Sequence, residues 1–287
     1  MNVLSLFDGM SCGYLALEKS GLKIDNYYAA EIDKHAITVS VQNNPHIKHL
    51  GSVTEWTEWD IDWSSIDLLI GGSPCQGFSR IGKQLAFNDP RSALFYTYVD
   101  ILNHLRSKNP NIKFLLENVK MNNANCSVVD NALGVERIHI DSSDFLPCIR
   151  NRYYWCNWDI DGYNKSDLTW KDIPDINLHE GWKPATCKRS VSDGNFVVFT
   201  GKKYMNTLTT YSGNANGVGR PFFALEEFEF GKTFPKNNKT KVLTPEQCEF
   251  LQGVPIGYTS MVSDSQRYRM LGNGWTVDVI SHILSSM

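Results

Sequence analysis

Val3-Leu4-Ser5-Leu6-Phe7-Asp8-Gly9-Met10-Ser11-Cys12-Gly13 is an apolar run that breaks at an acidic residue and a glycine. Val3 to Phe7 has the length and composition of a buried strand. The glycines allow a tight turn and a close approach of backbone to a ligand. The helix that follows, through Leu15 to Lys19, offers unpaired N–H groups at its start. A second strand, Tyr27 to Glu31, ends on a carboxylate about 20 residues further on, where α/β folds commonly bind ribose hydroxyls. A glycine turn alone occurs in any α/β protein, and the spacing to Glu31 tips the reading toward an adenosine-containing cofactor. The sequence has no complete Gly-x-x-x-x-Gly-Lys-Ser/Thr phosphate loop, which disfavours ATP or GTP hydrolysis.

Outward from this stretch the alternation continues. A helix is expected around Ala36 to Val41, a third strand at Ile66 to Ile70, and a helix from Leu94 to Leu105. A buried strand, Ile112 to Leu116, ends at Glu117, and later strands are expected at Ile138 to Ile140 and Tyr153 to Trp155. Strands alternating with helices predict a doubly wound, Rossmann-like, mostly parallel sheet. After Trp158 the texture becomes rich in Gly, Asn, Lys and Trp, with short β-like pieces such as Phe196 to Thr200. Helical periodicity returns at Pro245 to Gln252 and at Val277 to Leu284. The expected organisation is a first domain over 1–158, a smaller irregular β-rich domain over 159–242, and a return to the first domain over 243–287.

The 287 residues suffice for one large domain and a smaller one. At 42% hydrophobic and 21% charged, the composition is that of an ordinary globular protein. No apolar run reaches the roughly 18 to 20 residues of a membrane span. Met1 to Asp8 lacks a basic start and a long apolar stretch, so it reads as a strand and not a signal peptide. The seven cysteines are scattered without zinc-ligand spacing, which predicts reduced thiols and an intracellular setting. A net charge of −3 means that any nucleic-acid surface must be local.

Three further motifs lie where α/β enzymes place their chemistry. Gly71-Gly72-Ser73-Pro74-Cys75-Gln76-Gly77-Phe78-Ser79 follows a strand, so Cys75 is a candidate nucleophile rather than a buried structural thiol. Leu115-Leu116-Glu117-Asn118-Val119 places a carboxylate at another strand end, as a proton donor to a ring nitrogen or as a cap for the next segment. Arg150-Asn151-Arg152-Tyr153-Tyr154-Trp155 carries two arginines at alternate positions. Such a pair suits a substrate carbonyl or phosphate, or a surface ion pair.

Together, and in this order, the motifs resemble the DNA (cytosine-5) methyltransferase family over nearly the whole chain. Asp89-Pro90-Arg91 through Leu94-Phe95, Leu243-Thr244-Pro245-Glu246-Gln247 with Leu251-Gln252-Gly253, and Gly272-Asn273-Gly274-Trp275-Thr276-Val277 complete the resemblance. Leu6-Phe7-Asp8-Gly9, Arg152-Tyr153-Tyr154-Trp155 and Trp275 are similar to the animal de novo branch, whereas the length fits a compact bacterial or phage enzyme. Ser52, Cys148, Lys241 and Val254 depart from the residues usual in the family.

The resemblance implies a class I S-adenosylmethionine-dependent fold with a target-recognition domain. Cys75 would attack carbon 6, Glu117 would act at ring nitrogen 3, and Arg152 would hold the cytosine oxygen. Donor contacts would come from Phe7, Asp8, Gly9, Met10, Cys12 and Gly13, from Glu31, Ile32, Ser52 and Val53, and from Ser73, Pro74 and Leu94. Asn273, Gly274 and Trp275 complete that set. Duplex DNA would meet Gln76, Ser79, Arg80, Lys83 and Arg91, and Lys202, Lys203 and Arg220 in the small domain. These lysines and arginines have the alternative of a solvated surface. No metal site is expected. A cognate restriction endonuclease is an admissible partner, a monomer is favoured, and the expected location is the cytoplasm of a bacterial or phage-infected cell. Rival readings are a tRNA cytosine-5 methyltransferase, a catalytically silent DNA-binding partner and a nicotinamide-dependent oxidoreductase. The loop after Pro74 also resembles the tRNA branch, but that branch's Cys-Phe-Thr signature is absent.

Overall fold

The computed structural model describes residues 1–74, 90–175, 181–189, 196–201, 203–208, 221–230 and 240–287, with backbone alone at 90–92, 186–189, 196–197 and 228–230. By internal contacts the chain divides into two units. One comprises Met1–Ile140, Asn151–Gly162 and Ile280–Met287, and the other Asp141–Arg150 and Tyr163–Val279.

The first unit is built on seven strands: β1 (Asn2–Leu6), β2 (Asn26–Ala30), β3 (Lys48–Gly51), β4 (Leu68–Gly71), β5 (Lys113–Val119), β6 (Ile138–Asp141) and β7 (Asn151–Cys156). Their order across the sheet is β3-β2-β1-β4-β5-β7-β6. The pairs β1–β2, β2–β3, β1–β4 and β4–β5 are parallel, and β7 runs antiparallel to β5. The chain winds outward from β1 to β3, then returns to lay β4 against the other side of β1. That reversal is the switch point beside which α/β folds open a crevice.

Helices α1 (Cys12–Ser20), α2 (Lys34–Asn43), α3 (Pro90–Lys108) and α4 (Asn123–Leu133) follow β1, β2, β4 and β5. Their ends obey local chemistry. Asp33 caps α2 by accepting from the His35 and Ala36 N–H groups. Asn122 caps α4 through the Asn125 N–H, and Gly134 ends it at a left-handed φ of 76°. Leu4, Leu6, Leu69, Phe114, Leu116 and Trp155 share one core cluster with Phe95, Tyr98 and Leu102 of α3 and with Val129 and Leu133 of α4. The alternate residues Val3, Leu68, Ile70 and Leu115 are also fully buried. Strands covered on both faces explain why they read as continuous apolar runs.

The second unit holds an antiparallel sheet of order β11-β9-β8-β10-β12, formed by β8 (Lys183–Arg189), β9 (Phe196–Thr200), β10 (Phe222–Ala224), β11 (Phe228–Phe230) and β12 (Thr240–Val242). Ala185, Val198, Phe222 and Ala224 form its small core. Helices α5 (Pro245–Leu251) and α6 (Asp264–Asn273) belong to this unit, and α7 (Val277–Ser285) starts within it. Thr244 and Gln247 close a capping box on α5, with Pro245 in its first turn. Buried Glu249 of α5 accepts from the Thr259 hydroxyl at 2.5 Å and pairs with Arg267 of α6 at 3.1 Å. Among the described residues no helix is long and apolar enough to cross a membrane.

Gly71 ends β4 where there is no room for a side chain. A Cβ there would lie 3.0 Å from Tyr98 Cε2 and 3.1 Å from the Leu6 carbonyl oxygen. Gly71→Ala is therefore expected to destabilise the protein by about 1–3 kcal/mol, as overpacking does. Urea unfolding measures this, and an unchanged midpoint would show that the contact relaxes freely.

Candidate active site

The loop after β1 is fixed from several directions. Phe7 and Ser11 adopt left-handed φ values of 57° and 66°, as does Gly9 at 60°. Non-glycine residues hold that conformation only when their surroundings enforce it. The Asp8 N–H extends the strand pairing to the Ala30 carbonyl, 3.1 Å away. The Gly9 N–H donates to Glu31 Oε2 at 2.8 Å, while Glu31 Oε1 accepts from the Ile32 and Asp33 N–H groups. A Cβ built on Gly9 would meet nothing within 4 Å, so the loop presents an open backbone face. Beside it, Ile32 is 72% exposed, an unusual state for a large apolar side chain and a suitable one for covering an aromatic base. Met10, Cys12, Gly13, Val53 and Ser73 are buried, and Ser52, Pro74 and Leu94 are half-buried. Ser52 caps the short turn after it through the Thr54 N–H.

Asp8 is a buried carboxyl. Tyr27 donates its hydroxyl to Oδ1 and Ser11 donates to Oδ2, each at 2.6 Å. Burial, which outweighs these hydrogen bonds, pushes the Asp8 carboxyl up to about 6, and nearby Glu31 adds to the rise. Burial likewise drives the Tyr27 hydroxyl well above its ordinary range, with Asp8 reinforcing the effect.

The second cluster lies on β4, β5 and β7. Sequence reading ends β5 near Glu117, but the strand continues to Val119, so Glu117 and Asn118 sit opposite Tyr154 and Tyr153 of β7. The N-cap of the next helix is Asn122, which accepts from the Asn125 N–H. Glu117 Oε1 pairs with Arg152 Nε at 2.9 Å, and both side chains are largely buried, at 11% and 14% exposure. Asn118, 2% exposed, donates its amide to the carbonyl and to the hydroxyl of Ser73, each at 3.2 Å. Ser73 stands two positions before Cys75. Asn118 thus ties the base of the cysteine segment to the strand that carries Glu117.

The two arginines do not act alike. Arg150 precedes β7 and is buried; its guanidinium donates to the carbonyls of Leu208, Gly272 and Gly274. It holds backbone, whereas Arg152 pairs with Glu117. Asn273 ends α6, and the Gly274 N–H donates to the Met270 carbonyl at 2.7 Å. Thr276 donates to Gln252 Oε1 at 2.8 Å, an anchor of this segment that the sequence reading does not single out. Cys75, Gln76, Ser79, Arg80 and Lys83 lie outside the described residues, as do Lys202 and Arg220, and the Arg91 side chain is not described. Lys203 is exposed, its ammonium 4.9 Å from the Tyr204 ring centre. Tyr27, Ser11 and Asn118 support these clusters and are among the residues that sequence reasoning did not single out, although Ser11 and Asn118 stood within recognised motifs.

A parallel sheet with a switch point at β1/β4, an open glycine loop at that point and an acid–guanidinium pair on the neighbouring strands define an α/β enzyme of the methyltransferase type. The chain belongs to the family of C-5 cytosine-specific DNA methylases, whose profile matches residues 1–128 and 148–287, and with it to the DNA (cytosine-5)-methyltransferases. It is 29% identical over 313 residues to the type II methyltransferase M1.ScrFI of Lactococcus lactis subsp. cremoris, covering 99% of this chain and 77% of that one. Similarity to the type II methyltransferase M.HhaI of Haemophilus parahaemolyticus is 28% over 321 residues, covering 99% and 93%. Among solved structures, the S. pombe Dnmt2 methyltransferase superposes with a TM-score of 0.70 at 17% identity, covering 99% of this chain and 97% of that one. That likeness is one of fold.

The raised Asp8 pKa makes stability depend on pH. Its folded value of about 6 exceeds the ordinary 3.8, so the folded state binds this proton more tightly. The resulting stabilisation is full below the unfolded value and is lost as pH rises through the folded one. From about pH 4.5 to about pH 7.5 the wild type should lose about 2 kcal/mol that Asp8→Asn does not lose. Denaturant unfolding of both proteins across that range checks this, and a constant difference between them would refute it.

Proposed function

We propose that the protein transfers a methyl group from S-adenosylmethionine to carbon 5 of cytosine in double-stranded DNA. The transfer takes place at a specific short sequence, through a flipped-out base and a covalent bond to Cys75. The observation that carries this reading is the buried Glu117–Arg152 pair beside Asn118, whose amide grips Ser73 at the root of the cysteine segment. A carboxyl, a guanidinium and the root of the segment that leads to Cys75, at neighbouring strand ends, suit a pyrimidine that is attacked at one ring atom and held at others.

The loop fits the methyl donor. Gly9 presents an open backbone face, the exposed Ile32 offers an apolar surface, and Glu31 stands at the end of β2. Phe7 to Gly13, Glu31, Ile32, Ser52, Val53, Ser73, Pro74 and Leu94 would hold the group, and Asn273, Gly274 and Trp275 join them on motif resemblance alone. When bound, S-adenosylmethionine supplies an electrophilic methyl group on a sulfonium.

The residues act on a base that has left the stack, since a paired cytosine hides its ring faces. The Cys75 thiolate adds to carbon 6, and the ring electrons shift toward nitrogen 3 and the carbonyl oxygen. The Glu117 carboxyl gives a proton to nitrogen 3, and Arg152 donates to the oxygen. Carbon 5 becomes nucleophilic and takes the methyl group. Water removes the carbon 5 proton, the carbon–sulfur bond breaks so that Cys75 leaves as thiolate, and nitrogen 3 returns its proton to Glu117. Gln76, Ser79, Arg80, Lys83, Arg91, Lys202, Lys203 and Arg220 are the proposed contacts to the duplex, and the small sheet of the second unit is the proposed reader of its sequence.

Base-resolution conversion sequencing of treated duplex DNA, with tRNA as a parallel substrate, tests this reading. Methylcytosine is expected in one short DNA context with the wild type and nowhere with Cys75→Ser. A fluorinated-cytosine duplex plus the donor should become covalently attached at Cys75, and Glu117→Gln should lower kcat by about 10²–10⁴. Methylation by Cys75→Ser refutes the nucleophile. Preference for tRNA refutes the substrate, and duplex binding without methyl transfer refutes the enzyme.

A further inference from the structure

Ser11 immediately precedes α1, yet its hydroxyl makes no bond to the start of that helix. It is committed sideways. Ser11 Oγ donates to Asp8 Oδ2 at 2.6 Å and lies 2.6 Å from Ser40 Oγ on α2. Ser40 Oγ lies in turn 3.1 Å from His49 Nε2 on β3. Ser11 and Ser40 are completely buried. A hydroxyl carries one hydrogen, so the direction of this chain is determined. With Asp8 ionised, as it is above about pH 7, Ser11 gives its hydrogen to Asp8 and must accept from Ser40. Ser40 must then accept from His49, which fixes the imidazole as the Nε2–H form. The other imidazole nitrogen, Nδ1, is buried with no hydrogen-bond partner, so Ser40 is what orients the ring. Burial also holds the His49 imidazole below its ordinary range, against the opposing pull of Glu31.

We propose that Ser40 and His49, which lie outside every motif of the sequence, are positioning residues for the methyl-donor site. They act through Ser11 and Asp8 and hold the loop that leaves Gly9 open. The loop needs such support, because Phe7 and Ser11 are both left-handed without being glycine. Tyr27 secures the other oxygen of Asp8, and Glu31 secures the Gly9 N–H. The Ser40–His49 arm is the third tether, and it is anchored on β3, away from the cofactor motif itself. Removing the Ser40 hydroxyl leaves Ser11 without its second bond and His49 without its acceptor, while the Glu117–Arg152 pair does not involve it.

This inference rests on the reading of the loop as the donor site, and the experiment separates the two. Calorimetric binding of S-adenosylhomocysteine to the wild type tests that reading. The ratio of variant to wild type tests the inference. Ser40→Ala and His49→Phe should weaken binding, and raise KM for the donor, by about fivefold to tenfold, the worth of one hydrogen bond, with kcat within about twofold. Ser40→Thr and His49→Gln, which restore a hydroxyl and an N–H donor, should recover most of the loss. They also keep the test decisive if a truncated variant folds poorly. Nitrogen NMR of the unliganded wild type should show His49 protonated at Nε2. Unchanged affinity with only a lower Tm, a fall in kcat with KM constant, or an Nδ1–H imidazole would each overturn the proposal. If the wild type binds no S-adenosylhomocysteine, the donor reading fails and the proposal fails with it.

Discussion

Parallel pairing of β4 with both β1 and β5 is the constraint from which the site follows. The register sets Leu6 beside Gly71 and Gly71 beside Leu116. Adjacent strands lie about 4.8 Å apart, so Phe7, Gly72 and Glu117 leave the same row of the sheet within about 10 Å of one another. Loops far apart in sequence thereby share one edge. A slip of one residue in either pairing would turn each inward side chain to the opposite face. The tight fit of Tyr98 over Gly71 opposes such a slip on β4.

Three acidic groups at this edge are stabilised in three ways. Asp8 is satisfied by neutral hydroxyls, and its burial favours the proton. Glu31 is satisfied by three backbone N–H groups, which shape the turns around it. Glu117 faces a guanidinium. The same functional group therefore serves as a titrating strut, as a backbone clamp and as half of an ion pair. Its surroundings decide which.

The parts of the fold that follow a buried period were legible in the sequence. β1, β2, β4 and β5 stand near their expected places because their residues are apolar on both faces. β3 escaped notice because Lys48-His49-Leu50-Gly51 is an edge strand of partly exposed residues, held by pairing rather than by composition. Helix α4 was hidden by its three asparagines and is recognisable only from its caps, Asn122 and Gly134. Helix α6 was hidden by its charge, which is consumed internally by Arg267, Glu246 and Glu249. The site showed the same division. Glu117 and Arg152 could be named from motifs, but the separate task of Arg150 could not, because alternate spacing says nothing where the strand has not begun. Ser40 and His49 carry no pattern, since a serine and a histidine nine residues apart become neighbours only when α2 packs beside β3.

The guanidinium of Arg150 has an evolutionary consequence. It gathers carbonyls from positions 208, 272 and 274 with the two terminal nitrogens of one rigid planar fork. Lysine offers a single nitrogen on a flexible stem and cannot span them, so a change that preserves charge would still strand buried oxygens. Position 150 should therefore drift less across generations than a cationic residue on the surface.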